Sequence, residues 1–164
     1  LPKQGDAAKQ RYGQVLVNLG DVDGDFIDDY AIGTPQYRAT RMVNEKAKRF
    51  VKAGRVEIFS GKTGVRLFDE QGAAAKQLFG SAIVSGDFND DDIVDIAIGS
   101  PGANKNTGAV AIYWGNGSGS FGFAETLIVE QQPKALFGAS LAAAELDEKQ
   151  QLFVGMPKAK NLDT

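Results

Sequence analysis

Between Asp21 and Pro35 the chain has the sequence DVDGDFIDDYAIGTP, and between Asp87 and Pro101 it has DFNDDDIVDIAIGSP. Both segments place an oxygen-bearing side chain at positions 1, 3, 5 and 9, and both continue into a short apolar run. A single acidic cluster is compatible with a solvated turn. Two clusters in the same register, each leading into an apolar strand, indicate a metal site that belongs to a structural repeat.

Whole-chain composition excludes several classes of function. The chain has 164 residues, a net charge of -3, no cysteine and no histidine. Catalytic triads that need histidine, His- or Cys-ligated zinc and disulfides are therefore absent. The charge gives no nucleic-acid signature, and no apolar stretch approaches the roughly 20 residues that span a bilayer. The chain begins at Leu1 and shows no signal-peptide pattern, so we expect a mature or excised fragment.

Three segments of the chain resemble one another. Each begins with an aromatic-Gly pair, at Tyr12, Phe79 and Phe137, and these positions are 67 and 58 residues apart. Roughly twenty residues later each segment has a Gly-x-Pro sequence, which begins at Gly33, Gly99 or Gly155. A period on the order of 50 to 60 residues is typical of solenoids, propellers and arrays.

The content of each repeat predicts an all-β fold. Short runs rich in Val, Ile, Phe and Tyr alternate with glycine turns, as in residues 55–59, 65–68, 109–114 and 123–129. Four such strands per repeat are the composition of a propeller blade. We predict about ten strands, or two and a half blades, in one partial domain over residues 1–164, with repeats at approximately 11–70, 78–131 and 136–164, the last one incomplete.

The combination of an aromatic-Gly pair, an acidic loop and Gly-x-Pro resembles the FG-GAP repeat of integrin α-chain β-propellers and their bacterial relatives. The resemblance extends from Tyr12 to Pro157. It implies four-stranded antiparallel blades of a β-propeller, and because seven such repeats usually close one ring, three repeats imply a partial propeller.

The acidic loops have the donor chemistry that Ca2+ requires, because this cation takes six to eight oxygen ligands. Alternate side chains of a tight loop supply such oxygens, with a backbone carbonyl at position 7. The residues expected to bind are the same ones that the family's calcium loops imply. In the first loop they are Asp21, Asp23, Asp25, Asp29 and the carbonyl of Ile27; in the second they are Asp87, Asn89, Asp91, Asp95 and the carbonyl of Ile93. The prediction is two Ca2+ sites.

Other kinds of acidic loop fit less well. An EF-hand needs an acid at position 12, which is Ile32 or Ile98 here, and both EF-hand and dockerin loops lead into helices. Solvated acidic turns remain an alternative for both loops, although clustered carboxylates repel one another. The third loop, residues 145–151, has lost the alternating acids and contains Lys149, so we predict a plain hairpin without an ion. In the second loop we expect Asp90 and Asp92 to face water without binding metal.

Residues 38–52 differ from the rest of the chain, with six basic residues against one acid, Glu45. They connect the second and third strands of the first repeat. Within them, Met42 to Val51 contain good helix formers, and we predict a short helix there. In integrin-like propellers this end of the blade is the ligand face, so the resemblance implies a protein or glycan partner at this basic insertion. A solvated surface loop is the alternative.

These patterns favour a non-catalytic, calcium-stabilised module for adhesion or ligand recognition, extracellular or on the cell surface. We expect no nucleic-acid partner and no membrane insertion. One alternative is an accessory propeller of a secreted or surface hydrolase. Another is an assembly module, possible because the open strand edges of a partial propeller can pair with further chains, including other copies of this one.

Overall fold

A computed structural model describes residues 10–128 and 132–160 of the chain, and these residues form strands joined by short loops. The strands are β1 (Val15–Gly20), β2 (Asp29–Gly33), β3 (Ala39–Val43), β4 (Lys46–Phe50), β5 (Arg55–Phe59), β6 (Arg66–Gln71), β7 (Ala82–Gly86), β8 (Asp95–Gly99), β9 (Val110–Gly115), β10 (Phe121–Leu127), β11 (Ser140–Leu146) and β12 (Lys149–Gly155). A four-residue turn, α1 (Ala103–Asn106), joins β8 to β9, and three of its residues have positive φ.

The all-β prediction is confirmed. The first sheet has the order β1-β2-β5-β6 and the second has the order β7-β8-β9-β10, and every neighbouring pair is antiparallel. Strands β11 and β12 form a third, two-stranded sheet in the position of the first two strands of a further unit. These ten strands correspond to two and a half blades, while the division into domains stays a prediction.

The sheets pack face to face, and alternation along each strand decides which residues meet. Ile96 and Ile98 are fully buried and join a cluster with Ile58 and Val56 of the first sheet. Ala97 points the other way and belongs to a second cluster against the third sheet. Because side chains alternate between the two faces of a strand, one central strand supplies both interfaces.

The two glycine motifs meet where neighbouring sheets come together. A Cβ atom at Gly99 would lie 2.1 Å from the carbonyl oxygen of Gly138, and one at Gly33 would lie 2.5 Å from that of Gly80. The Gly-x-Pro sequence of each unit therefore touches the aromatic-Gly pair of the next unit. Only glycine allows main chains to approach this closely, which explains why the two motifs repeat together.

The helix predicted for Met42–Val51 is wrong, because β3 and β4 form a two-stranded hairpin there. Asn44 and Glu45 occupy its turn with φ of 49° and 62°, the left-handed pair that a two-residue hairpin loop requires. At its base Ala39 is fully buried, and the guanidinium of Arg41 donates to the carbonyl oxygen of Gln71 at 2.6 Å. Tertiary contacts and turn geometry thus outweigh a helix propensity of a few tenths of a kcal/mol per residue.

Within residues 10–128 and 132–160, no helix has the length and hydropathy that crossing a bilayer requires.

Candidate metal centre

The first acidic loop, residues 21–29, connects β1 to β2. Asp29 holds the C-terminal end of this loop in place. This carboxylate is 1% exposed. Its Oδ2 accepts a hydrogen bond from the Val22 amide, and its Oδ1 accepts one from the Gly61 amide, both at 2.9 Å. Asp29 therefore ties the loop to the segment that follows β5.

Asp21 organises the middle of the same loop. Its two oxygens accept hydrogen bonds from the amides of Phe26 at 2.7 Å, Gly24 at 2.7 Å and Asp25 at 3.1 Å. The backbone donors, with Phe26 contributing most, hold the pKa of the Asp21 carboxyl below its usual range. Asp21 is consequently ionised at neutral pH and keeps the loop curled around its side chain.

Asp21, Asp23 and Asp29 each offer a carboxylate oxygen, and these oxygens all lie within 4.8 Å of one another. The Oδ1 of Asp23 is buried and has no hydrogen-bond partner. Burial raises the pKa of Asp23, and the negative charges of Asp29 and Asp25 raise it further. An orphaned carboxylate oxygen among like charges is the environment that a bound cation relieves, so the residues present fit a hard divalent ion.

The other two residues predicted for this loop lie beside the three-carboxylate cluster. Asp25 accepts a hydrogen bond from the Ile27 amide at 3.0 Å. The ammonium of Lys62 donates to the Asp25 carbonyl oxygen at 3.2 Å and lies 4.0 Å from its Oδ2. Asp25 and the carbonyl of Ile27 stay predictions as ligands.

The second loop, between β7 and β8, has the same backbone design. Asp87 accepts hydrogen bonds from the amides of Asp92 at 2.8 Å, Asp91 at 3.1 Å and Asn89 at 3.3 Å. Asp95 is fully buried and accepts from Phe88 and Gly115, both at 2.9 Å. The acids at positions 1 and 9 of the two loops thus make equivalent contacts.

Positions 4 and 6 of both loops have left-handed backbone angles. At position 4 the φ values are 80° for Gly24 and 62° for Asp90, and at position 6 they are 68° for Phe26 and 62° for Asp92. Phe26 and Asp92 thus adopt at position 6 a backbone angle that favours glycine. The turn is kept, and side chains other than glycine carry the conformational cost.

The second loop differs in its side chains. The amide nitrogen of Asn89 donates to Asp91 Oδ2 at 3.0 Å, so a neutral donor satisfies an oxygen at this site. Burial raises the pKa of Asp95. Burial also acts to raise the pKa of Asp87, but backbone donors from Asp92 and Asp91 outweigh it, and the net shift is downward. Among the described residues, the cluster of three close carboxylates occurs in the first loop alone, and the second site, with Asp91 and Ile93, stays a prediction.

The third loop is a hairpin, as predicted, while the absence of an ion there stays a prediction. Asp147 and Glu148 form a two-residue turn with φ of 51° and 63°, and β11 pairs with β12 directly on either side. The ammonium of Lys149 forms an ion pair with Asp90 of the second loop, a contact that sequence patterns did not predict. The hydrogen bond to Asp90 raises the pKa of Lys149. Both side chains are more than half exposed, so the pair contributes little to stability.

Sequence reasoning also missed the two glycine donors to the position-9 acids. Gly61 and Gly115 each lie seven residues after a glycine, Gly54 or Gly108, that forms a parallel bridge to the aromatic residue of the next unit. The seven-residue spacing between the two glycines, which is the same in both units, is the sequence pattern that could have revealed these donors. A glycine is needed at both places because a Cβ atom would lie 2.0 Å or 2.1 Å from a loop carbonyl oxygen.

Four-stranded antiparallel units, each with an acidic loop between its first two strands and a glycine contact to the next unit, define a protein built from propeller blades. Comparison with known families agrees with this class. The FG-GAP repeat model matches residues 79–113. The chain therefore contains an FG-GAP repeat, the unit that forms such blades, and it is distantly similar to integrin α chains over most of its length.

Three curated relatives illustrate that similarity. Integrin alpha-V of Gallus gallus is 31% identical over 117 residues, which cover 66% of this chain and 10% of the relative. Integrin alpha-8 of Homo sapiens is 32% identical, with coverages of 70% and 11%, and integrin alpha-D of Homo sapiens is 33% identical, with coverages of 63% and 9%. The chain spans about a tenth of the length of these relatives.

Proposed function

We propose that this chain is a non-catalytic, calcium-binding FG-GAP module that acts in adhesion or ligand recognition outside the cell. The observation that carries the proposal is the cluster of Asp21, Asp23 and Asp29, with its buried and unpartnered Asp23 oxygen. Similarity to integrin α chains supports the location and the recognition role. Free Ca2+ is abundant outside cells, so loops of modest affinity are filled there.

In this proposal the metal has a structural role. Asp21 and Asp29 already hold the loop through five backbone hydrogen bonds, from Gly24, Asp25, Phe26, Val22 and Gly61. When bound, Ca2+ supplies positive charge that neutralises the three clustered carboxylates and stiffens the loop. Asp87 and Asp95 hold the second loop in the same way and are the residues that would position a second ion.

Calcium titration followed by thermal unfolding tests this function. At 100 times its dissociation constant one ion adds about 2.7 kcal/mol of stability, which for a chain of this size raises Tm by roughly 5–10 °C. EDTA should reverse the rise. Isothermal titration should give a stoichiometry of two if both loops bind and of one if only the first does. A Tm that does not respond to Ca2+ would contradict the proposal.

Asp23→Asn sharpens the test because it should raise the stability of the metal-free protein and reduce the stability gained on adding Ca2+. Without Ca2+ the variant should be more stable than the wild type, since it removes a carboxylate whose charged form is disfavoured by burial and by neighbouring acids. With Ca2+ it should gain less. The matched control is Asp147→Asn in the turn of the third hairpin, which should gain as much as the wild type. Equal gains in Asp23→Asn and the wild type would refute metal binding at this cluster.

Assembly through open edges is a second candidate, favoured by two features of the described residues. Strand β12 pairs with β11 alone, whereas its counterparts β2 and β8 pair on both sides. Leu16 on the first sheet and Phe153 on β12 are 68% and 47% exposed. An unpaired edge beside exposed apolar side chains is a site for further strands. Light scattering tests this candidate, and a strict monomer at high concentration would count against it.

A further inference from the structure

Charge is divided between the two ends of the molecule. Ten of the 21 acidic residues lie in the loops 21–29 and 87–95, which close the β1–β2 and β7–β8 hairpins. The connections β2–β5, β6–β7, β8–β9 and β10–β11 all lie at the opposite end, because successive strands in each sheet are antiparallel. These connections hold nine basic residues, six in 38–52 and one each at Lys76, Lys105 and Lys134, against two acids in the sequence, Glu45 and Glu130. We name these nine residues the basic end.

Backbone hydrogen bonds link the segments of the basic end into one surface. The Lys76 amide donates to the carbonyl oxygen of Val51 at 2.8 Å, and the Leu78 amide donates to that of Lys52 at 3.1 Å, so the base of the β3–β4 hairpin lies against the segment that holds Lys76. In the next unit, the Leu136 amide donates to the Asn106 carbonyl oxygen at 3.0 Å, which joins the segments of Lys105 and Lys134.

Lys76 and Lys134 occupy equivalent places in consecutive units. Each lies three residues before an aromatic-Gly pair, each has a φ of 63°, and both side chains are exposed. The repeat therefore presents an exposed lysine at the same place in both units. Cations repeated from unit to unit suit a polymer that carries several negative charges.

The cations of the basic end have no acidic partners among the described residues. The ion pairs of the described residues involve the cations Arg55, Lys62, Arg66 and Lys149, none of which is one of the nine. Arg55, at the start of β5, borders the basic end and is paired with Asp69 and Glu57. In the hairpin, Lys46, Lys48 and Arg49 are exposed. Nine clustered cations that are not neutralised within the described fold repel one another, and an external anion relieves this repulsion.

A groove of about 640 Å³ lies within the basic end, between the segment 73–77 and the segment 102–109. Lys76 and Lys105 stand on its two sides, Gln77 and Thr126 add polar groups, and Ala73 to Ala75 keep it open. Its volume is within the range of about 300–1,000 Å³ that holds small organic ligands. The groove therefore has the volume for a sugar ring, and two cations, Lys76 and Lys105, are among the residues that line it.

We propose that the basic end binds a sulfated polysaccharide, with Lys76 and Lys105 holding one charged sugar in the groove and the β3–β4 hairpin holding the chain beyond it. The inference rests on the proposed recognition function but not on metal binding. A single-stranded nucleic acid fits less well, because such ligands stack their bases on exposed aromatic rings. The hairpin has one aromatic residue, Phe50, which is half-buried with Lys48 Nζ 5.5 Å from its ring centroid.

Heparin is the probe for this proposal, used on the full chain in the presence of EDTA. The protein should bind, with an affinity that falls linearly on a log–log plot against salt concentration. Lys76→Gln with Lys105→Gln removes two positive charges at the groove and should raise Kd by about tenfold or more, because fewer cations then contact the anionic polymer. The matched control, Lys62→Gln with Lys149→Gln, removes the same charge at the acidic end and should leave Kd unchanged.

Three results would overturn the proposal. One is a wild type that does not bind heparin at low salt. Another is an equal loss of affinity in both double variants, which would indicate attraction by net charge alone. The third is equal or tighter binding of single-stranded DNA or of a polyglutamate peptide of matched charge. A wild type that gains stability from Ca2+ and fails to bind heparin would refute this surface while leaving the calcium module intact.

Discussion

Replacing Gly99 by alanine tests how the units are joined. The added Cβ would lie 2.1 Å from the carbonyl oxygen of Gly138 and 3.4 Å from the Cβ of Ala82. Ordinary contact begins near 3.4 Å, so the second and third sheets must separate by about 1.3 Å at this point. The obstacle is backbone in both partners, which no side-chain rotation removes. Forcing extra volume into a packed interface costs about 1–3 kcal/mol, and we expect Gly99→Ala to lower the free energy of unfolding by that amount.

Urea unfolding monitored by Trp114 fluorescence measures this change. Trp114 packs against the cluster formed by Ala97, Val110 and Ile112, on the side of the third sheet, and therefore reports on the interface that the substitution disturbs. The matched control is Gly122→Ala on β10, where an added Cβ would have nothing within 4 Å. The control should stay within about 0.5 kcal/mol of the wild type. If Gly99→Ala is as stable as Gly122→Ala, the glycine contact does not hold the units together and the explanation of the repeated motif fails.

Two further predictions concern acids outside the three-carboxylate cluster. Arg55 donates two hydrogen bonds of 2.7 Å to Asp69, and these hold the pKa of Asp69 below its usual range. Because the folded pKa is below the unfolded one, the stabilisation is complete above about pH 4 and is lost as pH falls through the folded pKa. Asp69→Asn should therefore be less stable than the wild type at pH 7 and nearly as stable at low pH. Urea unfolding of the two proteins over a range of pH measures this difference. Urea midpoints that fall in parallel as the pH is lowered would contradict the prediction. Asp92, with φ of 62°, should prefer glycine: Asp92→Gly should be more stable than Asp92→Ala, which also removes the charge, by about 1 kcal/mol. Thermal melts compare the two, and equal Tm values would argue against backbone strain at this position.

The strands were predictable because the residues of each strand and turn carry the pattern themselves. Alternation around Ile96 and Ile98, glycine turns and the spacing from Tyr12 to Phe79 are properties of the chain itself. The hairpin at residues 39–50 was not predictable in the same way. Glu45 to Arg49 are good helix formers, and only the turn at Asn44 and the buried Ala39 show that the segment is extended.

The candidate metal centre was also predictable only in part. The spacing of acids predicted which loop positions matter, and Asp21, Asp23 and Asp29 do converge in the first loop. Their contacts with amides from distant segments, such as Gly61, depend on which strand lies beside β2, and local spacing contains little of that information. The same is true of Lys149, which reaches the second loop from a different unit because β11 packs beside β7.

The contact between Gly99 and Gly138, like that between Gly33 and Gly80, involves main-chain atoms on one side and a missing side chain on the other. A joint of this kind depends on two glycines and on the buried side chains that pack beside them, such as Ile98 and Val56. The loops outside this joint are therefore free to diverge in evolution. This explains how one chain can combine three different loops. The first clusters three carboxylates, the second has an asparagine among its acids, and the third is a two-residue turn. For protein engineering, it means that exchanging one unit for another requires both glycines and the buried side chains that meet between the sheets to be retained.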